Sequence, residues 1–221
     1  MIEMISTPIV PKVARKVFRS LSSRTDDALI NHALRCAGVE NASSITSWTT
    51  KQELKALYGI ALSCPPGAKA LEIGSYLGAS TCYIAAGLAK IEGHLYCVDT
   101  WQNETMPEGE RDTLVEFRNN TQSIRPLITE IRRRSAELII ADIQAPLDLV
   151  FLDGDHSYSS TRADFTKVGP WVSDTGTVAF HDCAFFVGVS RVIGEALSSG
   201  EWMMAGHVNN LLWIKRATFE R

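Results

Sequence analysis

The sequence predicts an α/β protein built on a doubly wound, mostly parallel seven-stranded sheet. Short apolar segments alternate with segments of helical periodicity from residue 68 onward, which favours parallel strands joined by helical crossovers. One apolar segment, Leu147–Leu152, is nearly continuous, and this is typical of a strand buried on both faces. Two further strand-like segments flank Asn209 and Asn210, so we expect a C-terminal antiparallel hairpin to close the sheet.

The composition is that of one globular domain with an appendage. The chain has 221 residues, of which 45% are hydrophobic, and its 22 basic and 25 acidic residues give a net charge of −3. This charge argues against a nucleic-acid partner, and no apolar run approaches the roughly 18 residues of a membrane span. The five cysteines form no CxxC pair, so we expect reduced thiols and a cytoplasmic location.

Residues 1–25 form a segment of their own, rich in Lys and Arg and with Glu3 as the single acid before Asp26. Val10, Val13, Val17 and Leu21 recur at helical spacing. This stripe is open to three interpretations: packing on the main domain or a partner subunit, contact with an anionic membrane surface, or a transit peptide. We therefore assign residues 1–49 to an N-terminal helical arm and residues 50–221 to the main domain, with the arm as a candidate oligomer contact.

The elements follow in order from the arm. Residues 26–47 are predicted to be helical and then loop-like from Asn41 to Ser47. Thr50 and Glu53 form a capping-box pattern that predicts a helix to about Ser63, and Cys64–Gly67 contains two prolines that end it. Strands are predicted over Lys69–Ile73, His94–Val98, Ile128–Ile131, Leu147–Leu152, Gly176–Phe180, Trp202–His207 and Leu211–Lys215. Helices are predicted over Ala79–Ala89, Thr113–Ser123, Ala136–Ile140, Ser157–Val168 and Val187–Leu197.

Two glycines follow the first predicted strand, and an acid ends the second. Glycine at Gly74 and Gly78 permits a tight turn and the close approach of a ligand. Their GxxxG spacing lacks the second glycine of the dinucleotide fingerprint, so a ligand without phosphates fits better. Asp99 can accept two hydrogen bonds from a ribose diol. An ordinary strand-to-helix turn and a helix cap are the structural alternatives.

These motifs together resemble the class I S-adenosylmethionine-dependent methyltransferases. The resemblance rests on Glu72–Ser80 with Asp99 next, and the stretches Phe151–Tyr158 and Val178–Asp182 narrow it. It points to the small-molecule group that includes the macrolide-sugar O-methyltransferases, with catechol O-methyltransferase more distant. It covers roughly residues 50–215, so the main domain is expected to be a Rossmann-like methyltransferase domain preceded by N-terminal helices.

The resemblance implies S-adenosylmethionine as cofactor. In that family the positions matching Gly74 and Gly78 border the methionine part, the position matching Asp99 holds the ribose hydroxyls, and Ser135 and Ala136 match positions beside the adenine. The expected cofactor-binding residues are Glu72, Gly74, Ser75, Gly78, Ser80, Asp99, Trp101, Ser135, Ala136 and Asp153. The polar stretch Gln102–Arg111 is either a lid over this pocket or an ordinary loop.

A cluster of acids and histidines follows two later strands. Asp153 ends one and His181 and Asp182 end another, and neighbouring strand ends converge. His181 and Asp182 can both face the site only if the strand bends there. The resemblance implies that Asp153 and Asp182 match two ligands of a divalent metal, with His181 at a third, usually acidic position. Magnesium prefers oxygen ligands, whereas imidazole suits manganese, iron or zinc. The structural alternative is that the acids cap helices.

His156 is the expected catalytic base, with Asp155 beside it as a second candidate. In the sugar-modifying relatives a histidine at this step after the strand removes the acceptor proton, and a neutral imidazole suits that role near physiological pH. A histidine that bonds to backbone at a helix start is the alternative interpretation.

The expected function is therefore methyl transfer to a hydroxyl of a small molecule, a sugar or other natural product, with a divalent metal (Mg or Mn) assisting. A metal-independent methyltransferase acting on another nucleophile remains open, as does a nucleotide-binding protein without chemistry. A nicotinamide oxidoreductase is disfavoured by the glycine spacing. The expected partner is the small-molecule acceptor.

Overall fold

The structure is a computed structural model that describes residues 24–104 and 108–217. Its seven-stranded sheet has the order β3-β2-β1-β4-β5-β7-β6, so the predicted strand count is confirmed. The strands are β1 (Lys69–Ile73), β2 (His94–Asp99), β3 (Ile128–Arg132), β4 (Leu147–Leu152), β5 (Val172–Phe180), β6 (Trp202–Val208) and β7 (Leu211–Arg216).

The sheet is doubly wound about its central strand. β1 pairs in parallel with β2 on one side and with β4 on the other, and β3 and β5 extend the parallel part outward. β7 runs antiparallel to β5 and forms a hairpin with β6, as expected. The strand order reverses between β1 and β4, and ligands of such sheets bind beyond the carboxyl ends of the strands at that point.

Helices cover both faces of the sheet. Over the described residues the α-helices are α1 (Arg24–Cys36), α2 (Lys51–Leu62), α3 (Ala79–Ala89), α4 (Leu114–Asn120), α5 (Tyr158–Val168) and α6 (Val187–Ser198). Alternate residues of β4 enter different cores: Leu149 and Phe151 join one buried cluster, and Val150 and Leu152 join the other. The predicted burial of this strand on both faces is confirmed.

The capping box at the start of α2 is present. The Glu53 carboxylate accepts the Thr50 N–H at 2.7 Å, and the Thr50 hydroxyl oxygen accepts the Glu53 N–H at 3.5 Å. The cap fixes the first turn of α2 and, with it, the position of the Glu53 side chain.

Two predicted helices differ from the observed elements. The segment predicted as helix over 136–140 forms two 3₁₀ turns, Ser135–Glu137 and Ile140–Asp142. The helix predicted over 113–123 ends at Asn120 and is followed by a 3₁₀ segment, Gln122–Leu127. Pro126 in that segment has no N–H to donate, so the α-helix cannot resume there.

β5 begins four residues before the predicted strand. Its pairing with β4 shifts register between Leu147 and Leu149, and a Cβ on Gly176 would lie 2.5 Å from Val172 Cγ1. Glycine therefore allows an irregular strand to continue through the position at which the sequence suggested that it begins.

The N-terminal region is described only from residue 24. The stripe from Val10 to Leu21 lies outside the described residues, and the division into an arm (1–49) and a main domain (50–221) stays a prediction. α1 contributes Ile30, Ala33 and Leu34 to the core that it shares with α2 and α3. No helix in the described part of the chain has the length and apolar character needed to cross a membrane.

Candidate active site

The carboxyl ends of β1, β2, β4 and β5 open into a cavity of about 1080 Å³. Ten of the sequence-predicted site residues line it: Gly74, Ser75, Ser80, Asp99, Ser135, Ala136, Asp153, Asp155, His156 and Asp182. Four lie behind the wall: Glu72, Gly78, Trp101 and His181. Their assigned roles stay predictions.

The two predicted glycines hold chain segments close together. Gly74 has a φ of +89°, and a Cβ there would lie 2.0 Å from the Asp153 carbonyl oxygen. Gly78 has a φ of +92°, and its Cβ would meet Thr121 Cγ2 at 2.8 Å. Glycine at position 74 therefore allows the loops after β1 and β4 to contact each other closely, and this contact shapes the floor of the cavity.

Glu72 anchors the loop between β1 and α3 from below. It is fully buried and accepts hydrogen bonds from the hydroxyls of Ser75 at 2.9 Å, Ser80 at 2.6 Å and Thr81 at 2.5 Å. Burial raises the pKa of Glu72 to about 7, and the three hydroxyl donors oppose part of that rise. Glu72 thus orients Ser75 and Ser80, which do line the cavity.

Asp99 is fixed at the end of β2 by two backbone donors. Its Oδ2 accepts the Tyr76 N–H at 2.8 Å and its Oδ1 accepts the Trp101 N–H at 2.7 Å. A carboxylate has about four lone-pair positions, so both oxygens keep capacity for ligand hydroxyls. Trp101 itself packs behind the wall, where its indole N–H donates to the Tyr76 carbonyl at 3.0 Å. Its contribution is to the shape of this turn.

The far end of the cavity lies beyond β3. Ser135 and Ala136 occupy the first 3₁₀ turn there, and their carbonyls accept hydrogen bonds from Lys167 of α5. Asp164 is buried beside them, and burial raises the pKa of its carboxyl. At the predicted adenine end, Lys167 thus holds the backbone of the 3₁₀ turn, and the buried carboxyl of Asp164 lies next to it.

The described parts of the 102–111 loop border the same end. Asn103 and Glu104 line the cavity, and Glu104 pairs with Arg134 at 2.8 Å. The Asn103 amide donates to the Gly109 carbonyl at 2.7 Å, and Tyr76 Oη donates to Glu108 at 3.3 Å. The loop therefore lies against the cavity rim, and its action as a lid stays a prediction.

The predicted acid–histidine cluster is assembled as expected. His181 Nδ1 lies 3.0 Å from Asp153 Oδ1 and 3.6 Å from Asp182 Oδ2, and one donor atom from each of the three residues falls within 4.8 Å of the others. Asp182 has a φ of +58°, a left-handed conformation. The bend that the sequence argument required is therefore present, and it turns consecutive side chains toward one place.

His181 lies beneath the cavity floor with 2% of its side chain exposed. Its Nδ1 has no hydrogen bond of acceptable direction, so the approach of Asp153 is an ion-pair contact. Burial alone would lower the pKa of His181, but the charge of Asp153 and the contacts with Asp182 and Glu53 raise it to about 12. The imidazolium of His181 therefore offsets part of the negative charge of the three carboxylates that contact it.

Glu53 is a site residue that the sequence patterns did not identify. Its Oε2 lies 3.4 Å from His181 Nε2, and its Oε1 accepts the Asn210 N–H at 2.7 Å. Although burial opposes ionisation, the contacts with His181 and the backbone donors lower the pKa of Glu53 to about 2. The capping box located Glu53 on α2, but no local pattern indicates a partner 128 residues away.

The donor set fits a divalent cation. Two carboxylates and an imidazole meet at one point, and the buried His181 Nδ1 has no hydrogen bond to give up. The carboxylate of Glu53 on Nε2 is the kind of contact that directs the other ring nitrogen of a histidine toward a metal. Imidazole in the set favours manganese, iron or zinc over magnesium.

Of the two predicted bases, His156 has the freer side chain. Its Nε2 lies 3.1 Å from Asp182 Oδ2, its ring packs on Phe186 at 4.6 Å between centroids, and 27% of the side chain is exposed. Asp155 instead accepts the Ser157 N–H and the Ser160 hydroxyl, both at 2.9 Å. Although burial opposes it, these donors lower the pKa of Asp155, which makes it a weaker base.

One wall of the cavity comes from segments that the sequence patterns left out of the site. Residues 46–50 line it from the start of α2, and Phe185, Phe186 and Asn210 line it beyond β5 and β7. Trp48 and the pair Phe185–Phe186 are large aromatic residues outside the predicted helices and strands, and that position is the signal by which the sequence could have pointed to this wall.

Comparison with known proteins places residues 71–183 in the methyltransferase domain family. An uncharacterized protein of Sinorhizobium fredii, y4gI, is 31% identical over 119 residues, which are 51% of this chain and 13% of that protein. This chain thus spans a small part of the length of that curated relative.

Solved structures share the fold. A Corynebacterium glutamicum protein superposes with a TM-score of 0.64 at 15% identity, covering 95% of this chain and 98% of that one. The methyltransferase PaMTH1 of Podospora anserina, bound to S-adenosylhomocysteine (SAH), gives 0.61 at 12% identity, covering 98% and 100%. The O-methyltransferase NovP gives 0.58 at 14% identity, covering 87% and 98%. At these identities the likeness extends to the fold alone.

Proposed function

The chain belongs to the methyltransferase domain family, and from that premise we propose that it methylates a hydroxyl group of a small molecule. Family membership confirms the resemblance that the motifs indicated, and S-adenosylmethionine is the methyl donor. The observation that carries the proposal is that Asp99 and His156 line one cavity, with the Asp153–Asp182 pair beside His156. A cofactor carboxylate, a base and a cation site are thus within one ligand-sized space.

Cofactor binding is assigned to the β1, β2 and β3 loops. Asp99 is held rigidly with acceptor capacity left for a ribose diol. Ser135 and Ala136 would border the adenine, and Gly74 and Ser75 the methionine end. S-adenosylmethionine supplies an activated methyl group on a sulfonium.

His156 is assigned the removal of the acceptor proton. The Asp182 carboxylate, 3.1 Å from Nε2, favours the tautomer with its proton on Nε2, which leaves the lone pair on Nδ1, and it stabilises the imidazolium that forms. Bound S-adenosylmethionine would supply the methyl group and leave as SAH with the electron pair of the carbon–sulfur bond, and His156 would take the proton of the acceptor hydroxyl. Alignment of oxygen and methyl in a closed site contributes much of the remaining acceleration.

Asp153, Asp182 and His181 would hold the divalent cation, with Glu53 orienting His181. Such a cation lowers the pKa of an acceptor hydroxyl and fixes its oxygen. The metal-independent alternative keeps a specific observation in its favour: His181 as an imidazolium already offsets part of the negative charge of the acids around it. In that case Asp153 and His181 only support the loops, and His156 acts alone.

Calorimetric titration with S-adenosylmethionine and SAH tests the cofactor assignment. Asp99→Asn should weaken the binding of both ligands at least tenfold, because the variant lacks the charged acceptor. A hydrogen bond to a charged acceptor contributes about 1.5–3 kcal/mol. Asp174→Asn, exposed at the opposite end of β5, is the matched control. Equal affinities for both variants would remove Asp99 from the cofactor site.

Titration with Mn²⁺ tests the metal assignment. Asp153→Asn should abolish Mn²⁺ binding, because an amide lacks the charge that holds the ion. A fall in SAH affinity in the same variant would show that Asp153 also contacts the cofactor, as the resemblance implies. Turnover that survives exhaustive chelation in the parent protein would favour the metal-independent version. Association through the N-terminal arm and a cytoplasmic location stay predictions.

A further inference from the structure

The acceptor side of the cavity has an aromatic wall, which we define as Trp48, Phe185 and Phe186. All three line the cavity, with 62%, 79% and 45% of their surfaces exposed. Large aromatic side chains left exposed in a concave site usually mark a binding surface. The choice of an acceptor for this wall rests on the proposed function, because that acceptor would be the substrate of the proposed methyltransferase.

The phenylalanine half of the wall is held in place by the active-site loops. The Phe186 N–H donates to the Asp182 carbonyl at 3.0 Å, and the Ala184 N–H donates to Asn210 Oδ1 at 2.7 Å. A Cβ on Gly188 would lie 2.5 Å from the Tyr158 nitrogen, so α6 begins in tight contact with the His156 loop. The Phe186 ring therefore stands beside His156 before any acceptor arrives, and its part of the ordering cost of binding is already met.

The Trp48 half is anchored to the same turn between β6 and β7. The Thr49 N–H donates to the Ser47 hydroxyl at 3.1 Å, and the Asn209 amide donates to the Thr50 hydroxyl at 3.2 Å. Asn210 contacts Glu53 through its backbone and Ala184 through its side chain. One turn thus joins both halves of the aromatic wall to the acid–histidine cluster.

The charges near the wall are acidic. Among described lining residues, the acceptor side carries Asp153, Asp155 and Asp182 but no Lys or Arg. The two lining guanidiniums, Arg133 and Arg134, lie after β3 at the cofactor end and pair with acids there. A diphosphate or other anionic group on the acceptor would find no Lys or Arg to pair with on this side, and the positive charge at His181 or at a metal there is already surrounded by carboxylates.

We propose that the acceptor is an uncharged, planar aromatic compound that bears a hydroxyl, a phenol, with its ring packed on the aromatic wall and its hydroxyl directed to His156. Stacked or edge-to-face ring contacts supply the affinity and orient the plane of the ring. Nucleotide-linked sugars and coenzyme A thioesters are disfavoured by the acidic surroundings. A neutral sugar can pack only a puckered C–H face on such a ring and keeps its hydroxyls beside the apolar surface, so it gains less contact than a planar aromatic compound.

The test is calorimetric titration of the full chain saturated with SAH. The probes are 2-naphthol, methyl rhamnoside, TDP-rhamnose and coenzyme A. We expect 2-naphthol to bind more tightly than the other three. Tighter binding of any of those three, or no binding of 2-naphthol, overturns the proposal.

Variants connect the binding to the wall. Phe185→Ala and Trp48→Ala should each weaken 2-naphthol binding about 3- to 10-fold, the loss of one ring contact, while Phe185→Tyr retains it. Val187→Ala, exposed next to the wall but not lining the cavity, is the matched control. Equal affinities of Phe185→Ala and Val187→Ala for 2-naphthol also overturn the proposal. Unchanged SAH affinity shows that each variant is folded, whereas a parent protein that binds no SAH would refute the proposed function itself.

Discussion

At the scale of single residues, burial separates the two histidines that flank Asp182. His156 Nε2 lies 3.1 Å from the Asp182 carboxylate and the side chain borders the cavity. His181 contacts the same carboxylate from beneath, where Asp153 and Glu53 also reach it. A base must exchange protons with a ligand, so the exposed ring suits catalysis, and the enclosed ring suits a fixed charge or a metal ligand.

His156→Ala should lower kcat about 100- to 10,000-fold, the usual contribution of a general base. SAH affinity and melting temperature should change little, because the ring faces the cavity and packs only on Phe186. His32→Ala, on the exposed face of α1, is the control. Near-normal turnover of His156→Ala, measured with any accepted phenol, would transfer the base role to another group.

Glu53→Gln tests how His181 is oriented. The amide has a single acceptor oxygen, so it can accept only one of the two backbone hydrogen bonds, from Thr50 or from Asn210, and it no longer attracts Nε2–H as a charge does. We expect Mn²⁺ affinity to fall about 10- to 100-fold, which is typical when the partner of a metal-binding histidine is changed. Glu40→Gln, an exposed acid in the preceding 3₁₀ turn, is the control. Unchanged Mn²⁺ affinity in calorimetry would leave Glu53 with a purely structural role.

At the scale of elements, the cavity depends on the close approach of the loops that follow β1 and β4. Gly74→Ala would place a methyl group 2.0 Å from the Asp153 carbonyl oxygen at a φ of +89°. Gly67→Ala is a matched control, since its φ is +73° and nothing lies within 4 Å of the added Cβ. In Gly67→Ala the free energy of unfolding should fall by only about 1–2 kcal/mol, the cost of placing alanine in a left-handed backbone conformation.

Gly74→Ala should therefore lose clearly more stability than Gly67→Ala in urea unfolding, and SAH affinity should fall in Gly74→Ala alone. Equal losses in the two variants would show that the loops separate without strain. They would also show that Gly74 serves only the turn.

The elements themselves were largely predictable, because their signals are local. Apolar runs located all seven strands, and the hairpin followed from residues around Asn209. Shorter features were not predictable in the same way: an apolar stretch at 136–140 is compatible with an α-helix, and tertiary contacts such as Lys167 on the Ser135 carbonyl favour 3₁₀ turns.

The site divides along the same line. Asp99, Asp153 and Asp182 follow strands directly, and parallel strands bring their ends together, so sequence order was sufficient to group them. Glu53 and the aromatic wall reach the site through contacts between distant segments. A boundary drawn at residue 50 from the helix cap alone even separates Trp48 from the cavity that it lines.

At the scale of the whole molecule, ionisable groups are buried between the sheet and the helices that cover it. Glu72 is fully buried at the end of the central strand, and Glu53 and His181 lie beneath the ends of β4 and β5. The pKa of Glu53 is lowered to about 2 and that of Glu72 is raised to about 7. Their effects on stability therefore fall in different pH ranges, below about 4.5 for Glu53 and above it for Glu72.

Glu72 should make the free energy of unfolding depend on pH in the range above 4.5. Below pH 4.5, its ordinary pKa, the carboxyl is neutral in both states. Between 4.5 and about 7 the unfolded chain has released the proton and the folded chain keeps it, so stability falls as pH rises. The fall reaches up to about 3 kcal/mol, the free-energy equivalent of that pKa difference.

Glu72→Gln should abolish this component, because the amide is uncharged throughout and its NH₂ can donate to hydroxyls that rotate to accept. The measurement is urea unfolding of the metal-free protein at pH 4.5, 5.5, 6.5 and 7.5, with exposed Glu137→Gln as control. The parent and control curves should fall with pH relative to Glu72→Gln, which gains most at pH 7.5. A constant difference between parent and Glu72→Gln across this range would mean that Glu72 ionises at its ordinary pKa. Three hydroxyl donors would then be sufficient to hold a charged carboxylate inside the sheet.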